Sequence, residues 1–194
     1  MDHQVFLFAA CIAICALGHV KTCHGQIVLF GGCEKQNVTV KSDFDASKYM
    51  GKWHEQKRYF VEYERGLKCV TAQYTALPDG VQVLNSGIKS SNGENSTALG
   101  EAIVPNAAEP AKLSVQFPRS PAGDLWIVDT DYETYSVAYS CRNAGPFRLE
   151  SAWLLSRKPD QFSNETMSHI DDILRKNNIE KEAFLHVDQS SCSF

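Results

Sequence analysis

The chain has little that would suit a nucleic-acid binder. Its 194 residues hold 19 Lys and Arg against 23 Asp and Glu, a formal charge of −4 with a pI near 5.9, whereas such binders usually carry a basic face. It lacks a Cys-x-x-Cys pair, which withdraws support from zinc binding and from thioredoxin-type redox chemistry. No internal repeat, low-complexity tract or linker-like stretch interrupts it. One domain is therefore expected, of a length that can bury a sizeable core. Long apolar runs are scarce as well. The single example, Val5 to Gly18, has 14 residues, too few to span a bilayer comfortably as a helix, so no transmembrane segment is expected. The composition is 43% hydrophobic, 10% aromatic and 22% charged, which excludes wholesale disorder and collagen-like repeats.

The place of Val5 to Gly18 at the start of the chain fits the core of a secretory signal peptide, although no Lys or Arg precedes it. Small residues mark two cleavage points, after Gly18 and after Gly25. The second brings the new terminus, Gln26, close to the folded part. The expected division is a signal peptide over 1–25 and one domain over 26–194. Cleavage there removes Cys11, Cys15 and Cys23 and leaves Cys33, Cys69, Cys141 and Cys192. An even count in a secreted chain implies two disulfides, with three pairings open. Sequons headed by Asn37, Asn95 and Asn164 agree with a secreted glycoprotein.

Between residues 51 and 157, short strand patterns alternate with turn signals. Val70, Ala72, Tyr74 and Ala76 alternate with polar neighbours, as do Leu113, Val115 and Phe117; Tyr135, Val137, Tyr139 and Cys141 alternate with Ser136, Ala138 and Ser140. Period two with one apolar face marks half-buried antiparallel strands. Eight are expected, over about 52–60, 68–77, 80–89, 97–104, 111–118, 124–130, 134–141 and 146–156. Their even spacing suits an all-β barrel or sandwich. Met167, Ile170, Ile173 and Leu174 then recur at helical spacing, predicting one helix over 164–177 with Ser163 as its N-cap. Ala183, Leu185 and Val187 suggest a short last strand.

Three short motifs sit on this framework. They are Gly51-Lys52-Trp53, Thr130-Asp131-Tyr132, and Arg157 at the end of Trp153-Leu154-Leu155-Ser156-Arg157. In order and spacing they resemble the three conserved regions of the lipocalin family. Within it, the stretches Asp131 to Tyr135, Ser140-Cys141 and Glu109 to Leu113 are most similar to the group of apolipoprotein D, the bilin-binding proteins and the insecticyanins. The resemblance implies an eight-stranded antiparallel up-and-down barrel with one helix packed outside. It also implies the disulfides Cys33–Cys141 and Cys69–Cys192. Each closes a loop of over 100 residues, for about 5 kcal/mol in the chain-entropy model. Trp53 would plug one end of the barrel, and Arg157 could lie over its indole, a cation–π contact of about 0.5–2 kcal/mol. Asp131 would accept backbone N–H groups at a tight turn.

A barrel of this size can hold one small ligand. The resemblance implies that Tyr74, Phe117 and Trp153 line the pocket, with Asn85 close by. Glu55, two residues after Trp53, should share its inward face; a water-bridged structural role and a polar anchor for the ligand are both open to it. The function implied is a secreted carrier of a fatty acid, sterol, retinoid or similar lipid. Two alternatives are a linear tetrapyrrole such as biliverdin as the ligand, and action through a cell-surface receptor. Tyr59, Phe60 and Tyr63, at the first open-end loop, are candidate lid residues. The histidines left after cleavage, His54, His169 and His186, form no nucleophile–base–orienter set. No enzyme activity, cofactor or metal is expected.

Overall fold

The computed structural model describes residues 27–192; the expected signal peptide lies outside the described residues. The chain runs β1 (Ile27–Phe30), α1 (Ala46–Tyr49), β2 (Gly51–Arg58), β3 (Leu67–Leu77), β4 (Gly80–Lys89), β5 (Asn95–Ile103), β6 (Lys112–Gln116), β7 (Gly123–Thr130), β8 (Tyr135–Ala144), β9 (Phe147–Ser156), α2 (Asn164–Lys176) and β10 (Leu185–His186). Strands β2 to β9 pair antiparallel with their sequence neighbours, and β2 also pairs with β9. That last pairing closes the sheet into an eight-stranded barrel, as expected.

The differences from the sequence reading are local. Strand β1 and the one-turn helix α1 carry no clear periodic signal and were not expected. Helix α2 ends at Lys176, with Asn177 as its C-cap. The last strand is only two residues long. Ser163 caps α2 by accepting from Thr166 N at 3.1 Å.

Two apolar clusters hold the fold. One fills the barrel interior and includes Trp53, Tyr74, Val83, Leu113, Val115, Ile127 and Leu155. The other lies between the outer wall and α2, where Ile170 and Leu174 meet Val137, Tyr139, Ala152 and Leu154. Burying each of those two helix side chains contributes about 1.5–3 kcal/mol. The apolar alternation of β8 therefore serves the outside: Tyr135, Val137, Tyr139 and Cys141 belong to the helix-side cluster, while Ala138 is in the interior one.

The barrel is not regular along β2 and β3. The two strands pair only from Gly51↔Tyr74 to His54↔Thr71. Beyond that point the carboxyl-terminal tail takes over. Strand β10 pairs with Lys57 and Arg58, Val187 N donates to Gln56 O, and Cys69 N donates to Asp188 O. Gln189 Nε2 reaches both Glu55 O and Val70 O, at 2.8 Å each. The tail thus stitches the two strands where their own ladder stops.

Two disulfides are present. Cys33–Cys141 ties the amino-terminal arm to β8, and Cys69–Cys192 ties the tail to β3, with Cα separations of 5.8 and 5.6 Å. Replacing Cys69 and Cys192 together by Ser should lower stability by about 2–5 kcal/mol, measured by urea denaturation, with the barrel's circular-dichroism signal retained in the absence of denaturant.

Candidate functional site

One end of the barrel is closed by side chains. Trp53 is fully buried and its indole N–H donates to Tyr49 O at 3.0 Å. The Arg157 guanidinium lies 3.8 Å above the Trp53 ring. It donates to Tyr132 O at 2.8 Å, Lys48 O at 2.9 Å and Lys52 O at 3.1 Å. Gly51 sits beneath it with φ of +96°, a left-handed conformation that favours glycine. The turn after β7 is held by Asp131, whose Oδ1 accepts from the backbone N–H of Glu133, Thr134 and Tyr135. Thr130 Oγ1 donates to Tyr135 O at 2.6 Å and accepts from Tyr132 N. Gly51, Trp53, Thr130, Asp131, Tyr132 and Arg157 thereby join at this closed end.

The floor above the plug is aromatic. Tyr49 packs at 5.0 Å from Trp53 and 5.1 Å from Tyr74, and its hydroxyl shares a 2.9 Å hydrogen bond with that of Ser136. The walls rise from β4, β5, β6, β7 and β9. Val83, Leu113, Val115 and Leu155 are buried, with Phe117, Leu125 and Trp153 half-buried against them. Gly100 on β5 lets Phe117 fold close: a Cβ there would fall 2.6 Å from Gln116 O and 2.7 Å from the Phe117 ring. Asn85 is half-buried on the face it shares with Val83.

A charged group stands inside this apolar wall. Strand β2 carries a bulge between Glu55 and Lys57. Gln56 turns outward there, and its Nε2 reaches Ser156 Oγ at 2.9 Å, Pro159 O at 3.0 Å and Lys158 O at 3.2 Å. The bulge shifts the alternation by one, so Arg58 rather than Lys57 sits opposite Trp153. Arg58 Nη1 donates to Glu55 Oε1 at 2.6 Å, and Nη2 donates to Glu64 O at 2.7 Å. Its Nε lies 3.4 Å from Glu64 Oε2. Trp153 Nε1 donates to the same Glu64 oxygen at 3.4 Å. All three charged residues are buried. The Glu55 side chain thus has a direct ion-pair partner in Arg58. Arg58 and Glu64 were missed in the sequence, because no residue there signals the bulge and Glu64 lies in a short 3-10 turn (Glu62–Glu64) within a loop.

Burial is the main reason that the Glu55 and Glu64 carboxyls hold their protons more tightly than usual. The charge of Glu64 adds to the effect on Glu55, while Arg58 opposes it on both. Glu64 is pushed up to about 7.

Other expected residues fall elsewhere. Tyr59 is fully buried on the outer side, its ring 4.7 Å from Phe184 and its hydroxyl donating to Glu180 O; it anchors the tail and is no part of a lid. Phe60 is half-buried and Tyr63 is 69% exposed. His54 alternates away from Trp53 and is half-buried near Gln189. Asn37, Asn95 and Asn164 are all exposed.

The raised carboxyl values carry a sign for folding. A carboxyl that binds its proton more tightly when folded stabilises the fold at low pH and loses that contribution as pH rises. Stability should therefore fall from near pH 4.5, the ordinary value, through pH 7. Urea denaturation at a series of pH values checks this, and Glu64→Gln should flatten the fall.

Comparison with known proteins places this geometry. Residues 44–189 match the family model of the lipocalin-like domain. Apolipoprotein D of Mus musculus is 36% identical over 191 residues, covering 97% of this chain and 96% of its own. The Lazarillo protein of Schistocerca americana is 35% identical over 165 residues, covering 82% and 76%. Among solved structures, insecticyanin of the tobacco hornworm Manduca sexta superposes with a TM-score of 0.76 at 27% identity, covering 86% of this chain and 91% of its own. Lobster apocrustacyanin A1, at 22% identity and a TM-score of 0.70 over 84% and 92%, shares the fold.

Proposed function

This chain belongs to the lipocalin family, and we propose that it is a secreted carrier holding one small hydrophobic molecule inside its barrel. The observation that carries this reading is the make-up of the inner wall. Leu113, Val115, Phe117, Leu155 and Trp153 form an apolar and aromatic surface interrupted by one polar group, Glu55–Arg58–Glu64. Small-molecule sites have that composition. Burying ~300 Å² of ligand gives roughly 7 kcal/mol at 25 cal/mol/Å². Association costs subtract from this and packing adds to it, so affinity should be micromolar, near −8 kcal/mol.

Residues 1–25 act in this reading as a signal peptide, leaving a single domain from Gln26 onward. Two disulfides and three exposed sequon asparagines suit an oxidising, extracellular setting. No helix among the described residues is long and apolar enough to cross a membrane. Lipocalins are generally binding and carrier proteins, and we read this chain as one without enzyme activity: His54, His169 and His186 are on separate elements, and Cys69 is held in a disulfide. A bilin ligand and a receptor-directed role are the alternatives. His54, the residue that suggested a bilin, alternates away from the pocket.

Native mass spectrometry of the secreted protein, with extraction of whatever copurifies, should yield an apolar molecule of a few hundred daltons. Trp153→Ala and Phe117→Ala should each weaken its rebinding by about tenfold, the equivalent of 1.4 kcal/mol, while the fold is retained. A visible absorption band on adding biliverdin would favour the pigment reading instead.

A further inference from the structure

The outer wall of the barrel is covered unevenly. Helix α2 lies over β8 and β9, where Ile170 and Leu174 meet Val137, Tyr139, Ala152 and Leu154. Strands β4 and β5 keep an unbroken register from Val81↔Ala102 to Ile88↔Asn95. Val81, Val83 and Ala102 belong to the interior cluster, so alternation turns the opposite set outward. On β5 that set is Asn95, Thr97, Leu99, Glu101 and Ile103; on β4 it is Gln82, Leu84, Ser86 and Ile88. Glu101 is the only charged member of the two rows. Leu99 is 51% and Ile103 52% exposed, and Leu84, directly opposite Leu99, is half-buried. Leu77, at the end of β3, is exposed as well and borders a hollow that it shares with Ile103. A contiguous apolar face with so little charge is a place where another protein surface would settle.

The same row supplies a cover. Asn95 heads the sequon Asn95-Ser96-Thr97. It precedes Leu99 on the outward face of β5, about 14 Å away at a strand rise of ~3.4 Å per residue. Asn95 and Thr97 are both exposed. Asn95 lies directly opposite Ile88, a separation of about 5 Å between Cβ atoms. The other two sequon asparagines are placed differently. Asn164 opens α2, and Asn37 precedes Val38, which packs in the helix-side cluster. Neither is on β4 or β5.

We infer that Asn95 carries an N-linked glycan that covers the outer face of β4 and β5 around Leu99 and keeps two copies of the chain from meeting there. The inference rests on the reading of the chain as secreted, since that route supplies the sugar donor, and it is independent of the ligand in the barrel. The donor is a lipid-diphosphate oligosaccharide. The Asn95 amide nitrogen forms a bond to C1 of the first N-acetylglucosamine and gives up one proton. The bond from C1 to the diphosphate oxygen breaks, and the lipid diphosphate leaves with the electron pair. The attached glycan is bulky and solubilising. Ile88 stands beside its first sugar. Between that point and the Leu84–Leu99 pair lie Ser86 and Thr97, opposite each other, whose small hydroxyl side chains donate and accept hydrogen bonds and leave room for the sugars that follow. The face then meets solvent as a polar surface without any charge on the strands themselves.

The test uses the full chain expressed in an animal cell line, with its disulfides intact. Peptide mass mapping should find an N-acetylhexosamine-based adduct on Asn95. In sedimentation velocity, Asn95→Gln should self-associate at concentrations about tenfold lower than the native protein does, whereas Asn37→Gln and Asn164→Gln should leave association unchanged. Adding Leu99→Lys to Asn95→Gln should restore the native behaviour, because an ammonium on that face opposes its burial. Thermal melts establish that each variant is folded. An Asn95 without sugar, in a protein that carries sugar at Asn37 or Asn164, would overturn the inference and leave the secreted reading standing. A glycosylated Asn95 whose Gln variant sediments like the native protein, or an association that survives Leu99→Lys, would overturn the covering role. If the chain stayed inside the cell with none of these asparagines modified, the secreted reading would fall and the inference with it.

Discussion

The barrel depends on one contact at its closed end. Arg157 lies on the face of Trp53 and donates to three carbonyls that belong to α1, to β2 and to the turn between β7 and β8. The first two adjoin each other in sequence, while the turn and Arg157 itself lie far along the chain. A single guanidinium therefore fixes where the first and last barrel strands meet and where the β7–β8 turn docks. Its charge is compensated by three oxygen acceptors and a π face, so the group is held without a carboxylate partner.

The open end is built by departures from regularity. The bulge in β2 turns Lys57 out, toward Met167 of α2, and Arg58 in. A second irregularity in β3, between Lys68 and Thr71, brings Cys69 to a positive φ of 54°. Both would leave backbone groups without ladder partners, and the tail supplies them through Asp188 O, Val187 N and the Gln189 side chain. The Cys69–Cys192 disulfide keeps that tail in place. The polar group in the wall thus follows from the bulge in β2: a strict ladder would have faced Lys57 inward, whose ammonium lacks the planar fork with which Arg58 meets both Glu55 and Glu64.

That arrangement has an energetic cost and a use. Replacing a buried ion group by apolar side chains of similar volume is often neutral or stabilising. Here the group sits where a ligand would lie, and its protonation is shifted toward neutrality by burial. The group leaves carboxyl oxygens inside an otherwise apolar wall. The small residues of β5 and β8 play the complementary part, since Gly100 admits the Phe117 ring and the inward face of β8 presents Ser136 and Ala138.

Much of the architecture was legible because it repeats. Period two marks the strands, helical spacing marks α2, and Ser163 announces where the helix begins. The motifs around Trp53, Asp131 and Arg157 name the barrel through their order and spacing. The inner wall was partly legible: Tyr74, Phe117, Trp153 and Glu55 follow from alternation and family likeness, and the structure sets them on the interior side. Arg58 and Glu64 were not legible. A bulge adds one residue to one strand without any required residue type, and Glu64 enters from a loop, where no period exists. The outward use of the apolar face of β8 was hidden for a related reason, since alternation says that a face is buried and not against what. What the sequence determined by itself was the set of elements and their order, because local periodicity and capping act within a few residues. What only the tertiary structure decided was which face of each strand lines the barrel, where the ladder slips, and which buried charges meet, because those depend on contacts between segments a hundred residues apart.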